Sequence, residues 1–233
     1  MKSLLRTQLL YASLAVAGAS LSVFSAARLF GELSAMGPLK AMQQWASDGQ
    51  MGSHSRRQKQ LSRLLMSLQV APWSADRHMD LARFYTWHMR RTTRRSEQHQ
   101  IYAQRTQQQL LAAVQQRPVW GLAWAALAEN SVASGHYKPV IEGFLSRALR
   151  LGPYEPGTLR KIALVGMLHW SNLCPALRGA VRKVVRRSLQ IDDHPATLIR
   201  LAFSLQWQDQ LQDLLQAPSQ RAEFERLSRR QGS

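Results

Sequence analysis

The stretch that most constrains how this chain can fold runs from Pro118 to Pro156. Its first half, PVWGLAWAALAENSVAS, spaces Trp124, Leu127 and Ala128 so that they share one side of a helix. A Gly-His-Tyr turn follows, and its glycine supplies the left-handed conformation that commonly ends a helix. The second half has apolar residues at the same spacing and stops at Leu-Gly-Pro. The stretch therefore predicts two helices joined by a tight turn.

This helical pair resembles the tetratricopeptide-repeat hairpin. The residues that match the repeat motif are, in order, Trp124, Leu127, Ala128, Gly135, Tyr137, Phe144, Ala148 and Pro153. The chain departs from the motif at Val140, where the repeat usually has alanine, and by one extra residue between Ile141 and Ala148. An ordinary two-helix hairpin with an aromatic core is the alternative interpretation.

Two further segments carry the same pattern, one on each side of the hairpin. Leu81, Ala82 and Tyr85 precede it, and Ile162 follows Leu127 by 35 residues. Three hairpins at such a spacing are enough to bury a continuous core in a stack. No segment alternates with a period of two for long enough to indicate a strand. We predict an all-α protein in which an N-terminal transmembrane helix precedes a tetratricopeptide-like right-handed stack of helical hairpins.

The N-terminal region predicts a membrane segment, because residues 9–27 contain no charged side chain. This length is close to the roughly 20 residues that a helix needs to span a bilayer. We favour an uncleaved anchor; the alternatives are a cleaved signal peptide and a buried helix of a soluble protein. The expected organisation is a signal anchor over residues 1–28, a juxtamembrane helical linker over residues 29–69, broken at Gly37-Pro38, and a repeat domain over residues 70–233.

The charge balance predicts an anionic partner. The chain has 31 Lys and Arg against 14 Asp and Glu, a formal net charge of +17, which suits lipid head groups, an acidic polysaccharide or nucleic acid. Arg178, Arg182 and Arg186 recur every fourth residue and predict a cationic stripe on one helix, with a solvated outer face as the alternative. A second basic helix, residues 56–68, could lie on anionic lipid or turn its leucines to the core. Nucleic acid is disfavoured, because no recognition motif is present and the predicted topology places the domain outside the cytoplasm.

We find no pattern that predicts catalysis, a metal site or a cofactor. The seven histidines form no ligand motif, and the single cysteine, Cys174, excludes an internal disulfide. Glu129 and Glu142 lie on the two helices of one hairpin, so a pair of facing acids is the basis of an alternative hypothesis, a glycan-modifying enzyme. The interpretation that we favour is a protein that is not an enzyme.

Several sequence segments are more specific than a generic repeat and resemble the VpsP-type proteins encoded in bacterial exopolysaccharide gene clusters. They are LARFYTWHMR (81–90), RPVWGLAWAALA (117–128), RALRLGPYEP (147–156) and GMLHWSNL (166–173). The resemblance implies one N-terminal membrane segment, a repeat-like helical domain and an accessory role in making or exporting a polysaccharide at the inner membrane. It implies no catalytic residue.

The expected function is therefore a membrane-anchored scaffold that binds other polysaccharide assembly or export proteins, with its C-terminal domain in the periplasm. Besides those proteins and the membrane, the expected partners are anionic lipid or an acidic polysaccharide. A cytoplasmic binder of an anionic partner such as nucleic acid is a further alternative. The candidate contact residues are Trp120, Trp124, Tyr137, Arg178, Arg182 and Arg186.

Overall fold

The computed structural model describes residues 2–94, 96–136, 138–191 and 195–231, with side chains from residue 11 to residue 230. Among these residues all regular secondary structure is helical, which confirms the predicted all-α class. The α-helices are α1 (Lys2–Asp48), α2 (His54–Val70), α3 (Ala75–Arg90), α4 (Glu97–Gln116), α5 (Gly121–Ala133), α6 (Lys138–Leu151), α7 (Pro156–Leu168), α8 (Pro175–Ile191), α9 (Pro195–Ser204), α10 (Gln208–Gln212) and α11 (Pro218–Gln231). A short 3₁₀ turn, Trp170–Asn172, precedes α8.

The chain divides into two compact units, Met1–Phe84 and Tyr85–Ser233. The division falls inside α3, whereas the sequence predicted domain boundaries after residues 28 and 69. Those boundaries remain predictions, since a division by compactness does not test where a membrane anchor or a linker ends.

The first unit is built on α1 and α2, which pack against each other. Gly31 of α1 lies against the end of α2, and a Cβ on the glycine would lie 3.6 Å from the Ala71 side chain. The Ser67 hydroxyl donates a hydrogen bond of 2.7 Å to the Gly31 carbonyl. Leu64 of α2 is buried whereas Leu65 is exposed, so α2 turns part of its apolar side to the protein. The arrangement supports the core-facing interpretation of the basic helix.

The predicted helix break at Gly37-Pro38 is wrong, because α1 continues through Pro38. Proline cannot donate to the carbonyl four residues before it, so its presence removes one helical hydrogen bond. The helix continues because Ala35, Pro38, Met42 and Trp45 recur every three or four residues and are all buried. Burial of this face offsets the lost hydrogen bond, and α1 ends only in the polar stretch that begins near Asp48.

A charge cluster joins α1 to α3 in the first unit. The buried Arg77 side chain lies 2.9 Å from the Glu32 carboxylate and 3.0 Å from the Asp80 carboxylate. Arg83 approaches the other Asp80 oxygen at 3.5 Å. Burial raises the pKa of Asp80 to about 6, although both arginines act to lower it. Loss of hydration therefore outweighs the attraction of the two cations.

The second unit is centred on α5, which packs against α4, α6 and α7. Nearly every α5 residue is small or apolar, and the helix is buried on most of its circumference. Gly121 at its start allows close approach to the turn after α6, since a Cβ there would lie 2.8 Å from the Gly152 Cα. α7 packs in turn on α8, and α9 contacts α8, α10 and α11.

The helical pair predicted from residues 118–156 is confirmed. Gly135 has a φ of 69° and the His136 amide donates to the Ser131 carbonyl at 2.9 Å, which closes α5 as the glycine predicted. Ile162 of α7, which the repeat spacing matched to Leu127, is fully buried, and so are Ala163 beside it and Val181 of α8. The short helix α10 was not predicted.

Candidate functional site

The two tryptophans proposed as contact residues occupy different environments. Trp124 is buried: its ring nitrogen donates to the Pro118 carbonyl at 2.8 Å, and the Arg147 guanidinium lies 4.6 Å from its ring centre. Trp120 is half-buried, with Arg117 over its ring at 4.7 Å. Trp124 therefore belongs to the packed interior, and Trp120 retains surface for a partner.

Tyr137, the third aromatic candidate, lies outside the described residues. The turn that contains it is described on both sides, from α5 through His136 and again from Lys138.

The predicted arginine stripe lies on α8, and its three members have different neighbours. Arg178 donates to the Trp170 carbonyl at 3.1 Å and to the Ser171 carbonyl at 2.8 Å, so it holds the 3₁₀ turn before α8. Arg182 forms an ion pair of 3.2 Å with Asp213. Arg186 is exposed, as is Lys183 beside it. The cationic surface that an anionic partner can reach is thus centred on Lys183 and Arg186.

A cleft of about 800 Å³ opens between α4 and the end of α5. One wall is the exposed glutamine face of α4, and the other is the short run of small residues that closes α5. Ala103 forms part of the lining, and its small side chain leaves room between the glutamines. The polar residues of the lining are Arg94, His99, Gln100, Gln104, Gln107, Gln108, Ser134 and His136. The local sequence pattern does not predict the cleft, because its two walls come from different helices.

Buried polar groups hold the inner side of this cleft in place. The Asn130 side-chain amide donates to the Ala103 carbonyl at 3.2 Å and to the Gln107 side-chain oxygen at 3.0 Å. His99 is buried, its Nδ1 lies 3.3 Å from the Thr92 hydroxyl, and within the described residues its Nε2 has no hydrogen-bond partner. Since an unpaired buried polar atom is costly, this Nε2 is a group that a bound molecule or water can satisfy.

Glu129 and Glu142, the candidate pair of acids, have separate structural partners. Glu129 on α5 lies 2.5 Å from Arg90 on α3 and forms a second ion pair with Lys161 on α7. Burial acts to raise the pKa of Glu129, but the Lys161 and Arg90 cations outweigh it and lower the pKa below its ordinary value of 4.5.

Glu142 on α6 accepts a hydrogen bond of 2.8 Å from the Cys174 backbone amide, just before α8. One carboxylate thus joins three helices and the other caps a fourth. Neither arrangement is that of a general acid facing a general base.

A further candidate feature is the exposed apolar surface of α1. Within residues 11–48 the helix is long and apolar enough to span a membrane, with a mean hydropathy of 1.5 in a window of which 6% is buried. Large apolar side chains are exposed along it, including Leu14, Leu21, Val23, Leu29 and Leu33. A soluble protein rarely exposes so long an apolar surface.

In comparisons with known proteins, no family model matches this chain and no curated protein matches it.

Proposed function

We propose that this chain is a non-enzymatic, membrane-anchored scaffold that acts in bacterial exopolysaccharide biosynthesis or export, like the VpsP-type proteins that its sequence resembles. The observation that carries the proposal is the combination of an exposed apolar helix with a helical unit that has an open, amide-lined cleft. In this proposal α1 anchors the chain in the inner membrane and the C-terminal unit lies in the periplasm.

The packing order of the second unit supports a tetratricopeptide-like stack. α5 packs on α6 and also on α7, α7 packs on α8, and α6 touches both α7 and α8. Stacked hairpins have this order, since the first helix of each hairpin contacts its own partner and the first helix of the next hairpin. Such stacks form grooves that bind extended segments of other proteins.

The cleft suits an extended polypeptide segment from a polysaccharide assembly or export protein. Glutamine amides both donate and accept hydrogen bonds, so the α4 face can pair with the backbone of an extended segment. Gln104 and Gln108 are exposed on that face, whereas Gln107 is held by Asn130. Arg94 adds a positive charge at the lining, which favours an acidic segment.

The proposal is tested in the native strain by deletion and by crosslinking. A photoreactive residue at Gln104 should form adducts with an assembly or export protein, whereas the same residue at the exposed Glu225 of α11 should not. Reporter fusions after Ser233 should be active in the periplasm and inactive in the cytoplasm. Normal export of polysaccharide by the deletion strain would overturn the proposed function, and a cytoplasmic C-terminus would overturn the proposed topology.

A further inference from the structure

We infer that the segment between α2 and α3, Ala71-Pro72-Trp73-Ser74, lies in the surface of the bilayer and forms a second membrane contact beside α1. The inference rests on the proposed membrane span of α1. Its basis is a stacked pair of rings: Trp73 lies on Phe24 with ring centres 5.2 Å apart and ring planes 17° apart. Both rings are about half-exposed, at 44% and 46%.

The position of Phe24 in the span sets the depth of Trp73. Residues 9–27 are free of charge and, at 1.5 Å per residue, extend about 28 Å, close to the roughly 30 Å of a hydrocarbon core. Phe24 is three residues before the end of this stretch, about 4–5 Å inside it. A ring stacked on Phe24 therefore lies near the boundary between hydrocarbon and head groups. Tryptophan prefers this boundary, because its ring is apolar and its N–H is polar.

The last turns of α2 extend the proposed membrane contact. Because Ser67 bonds to Gly31, these turns lie at the depth of Gly31, about 6 Å beyond the charge-free stretch. Leu65 and Met66, next to Ser67, are 40% and 49% exposed. On α1 itself Leu29 and Phe30 are exposed at neighbouring depths. These side chains extend the apolar surface of α1 sideways at the level of the head groups.

The positions of the charged side chains on α1 and α2 agree with this placement in the bilayer. The Glu32 carboxylate, paired with Arg77, lies one residue beyond Gly31 and is about half-exposed, as the head-group region allows. Further along, Arg63 approaches Gly37, where a Cβ would lie 2.7 Å from its guanidinium. Gly37 is ten residues beyond Ala27, about 15 Å along the helix. The basic half of α2 is therefore held away from the lipid, and the apolar end of α2 meets it.

Spin labels at single cysteines test the inference in the full chain. The native thiol is first removed as Cys174→Ser, and the protein is reconstituted into vesicles of phosphatidylcholine with one quarter phosphatidylglycerol. Labels are placed at Pro72→Cys and Met66→Cys, with Val16→Cys as the reference within the span and Ser62→Cys as the matched position further along α2. Collision rates with oxygen, which dissolves in lipid, and with a water-soluble nickel chelate report the depth of each label.

The labels at Pro72 and Met66, at the level of the head groups, should favour oxygen over the chelate severalfold more than the label at Ser62 does, and less than the label at Val16 does. If Val16 is itself open to the chelate, the membrane span fails, and the proposed anchor fails with it. If Val16 is in lipid but Pro72 and Met66 match Ser62, only the second contact is overturned. Protection from both reagents at Pro72 would indicate a protein cover and would likewise overturn the inference.

Discussion

Gly166 of α7 lies so close to Val181 of α8 that a Cβ on the glycine would be 2.6 Å from one methyl carbon of the valine and 3.1 Å from its Cβ. Val181 is fully buried and, as a β-branched residue, has few alternative rotamers. Because Gly166 has no side chain, α7 and α8 can approach this closely. Local sequence patterns gave the faces of both helices, but not this contact.

We expect Gly166→Ala to destabilise the second unit. The new methyl group overlaps the Val181 side chain, and overpacking of this kind costs about 1–3 kcal/mol, more than the gain in helix propensity. The matched control is Gly179→Ala on α8, where a Cβ meets nothing within 4 Å and the same change should stabilise by about 0.5–1 kcal/mol. Thermal unfolding of the detergent-solubilised chain measures both. Equal shifts in the two variants would contradict the close approach.

The ion pairs of Glu129 should support the packing of three helices. Glu129→Gln keeps the shape of the side chain but leaves Arg90 and Lys161 without their shared carboxylate, and we expect a loss of about 1–3 kcal/mol. Because the pKa of Glu129 is lowered in the folded state, its stabilising contribution is present at neutral pH and is lost as the pH falls below its ordinary value of 4.5. The wild type and the variant should therefore converge in acid. Glu225→Gln, at an exposed ion pair on α11, should change the unfolding temperature little.

Asp80 should have the opposite pH dependence. Its folded-state pKa of about 6 lies above the ordinary value of 3.8, so its contribution to stability is greatest below the ordinary value and is lost as the pH rises through about 6. The difference corresponds to about 3 kcal/mol. We expect the stability advantage of Asp80→Asn over wild type to grow between about pH 4 and pH 6 and to stay constant above that, with Arg77 still paired to Glu32. Asp48→Asn, at an exposed carboxylate, is the control, and parallel pH profiles for Asp80→Asn and wild type would refute the prediction.

Particular residues explain how much of this fold could be predicted. Gly135 and Ile162 were placed correctly because a helix end and a helical face depend on residues a few positions apart. Pro38 was misjudged because the burial that offsets its lost hydrogen bond is a tertiary effect. The Trp73–Phe24 stack and the cleft lining joined by Asn130 and Gln107 involve residues 49 and 23 positions apart. No local periodicity encodes such contacts.

The two hairpin tryptophans should respond differently to truncation. Trp124→Ala removes a buried ring and its hydrogen bond to Pro118, so we expect a loss of about 3–5 kcal/mol. Trp120→Ala removes a half-buried ring, and its effect on unfolding should be clearly smaller. Reporter-strain assays of polysaccharide export then separate binding from folding: a Trp120→Ala protein that is folded but inactive would identify Trp120 as a contact residue. A larger unfolding shift for Trp120→Ala than for Trp124→Ala would contradict the structural assignment.

The exposed end of the arginine stripe gives the sharpest test of the positive charge. Arg182→Glu would place a second acid beside Asp213. A loss of function in this variant could therefore come from weaker folding or from weaker binding. Lys183→Glu combined with Arg186→Glu reverses two charges on an exposed face, and we expect weaker binding to an acidic polysaccharide or to anionic vesicles, with a reduced dependence on salt. The control is Arg150→Glu combined with Arg160→Glu, which makes the same charge change at exposed positions on α6 and α7. Equal losses in the two double variants would mean that net charge, rather than the α8 surface, attracts the anionic partner, and no loss in either would remove the stripe from the proposed function.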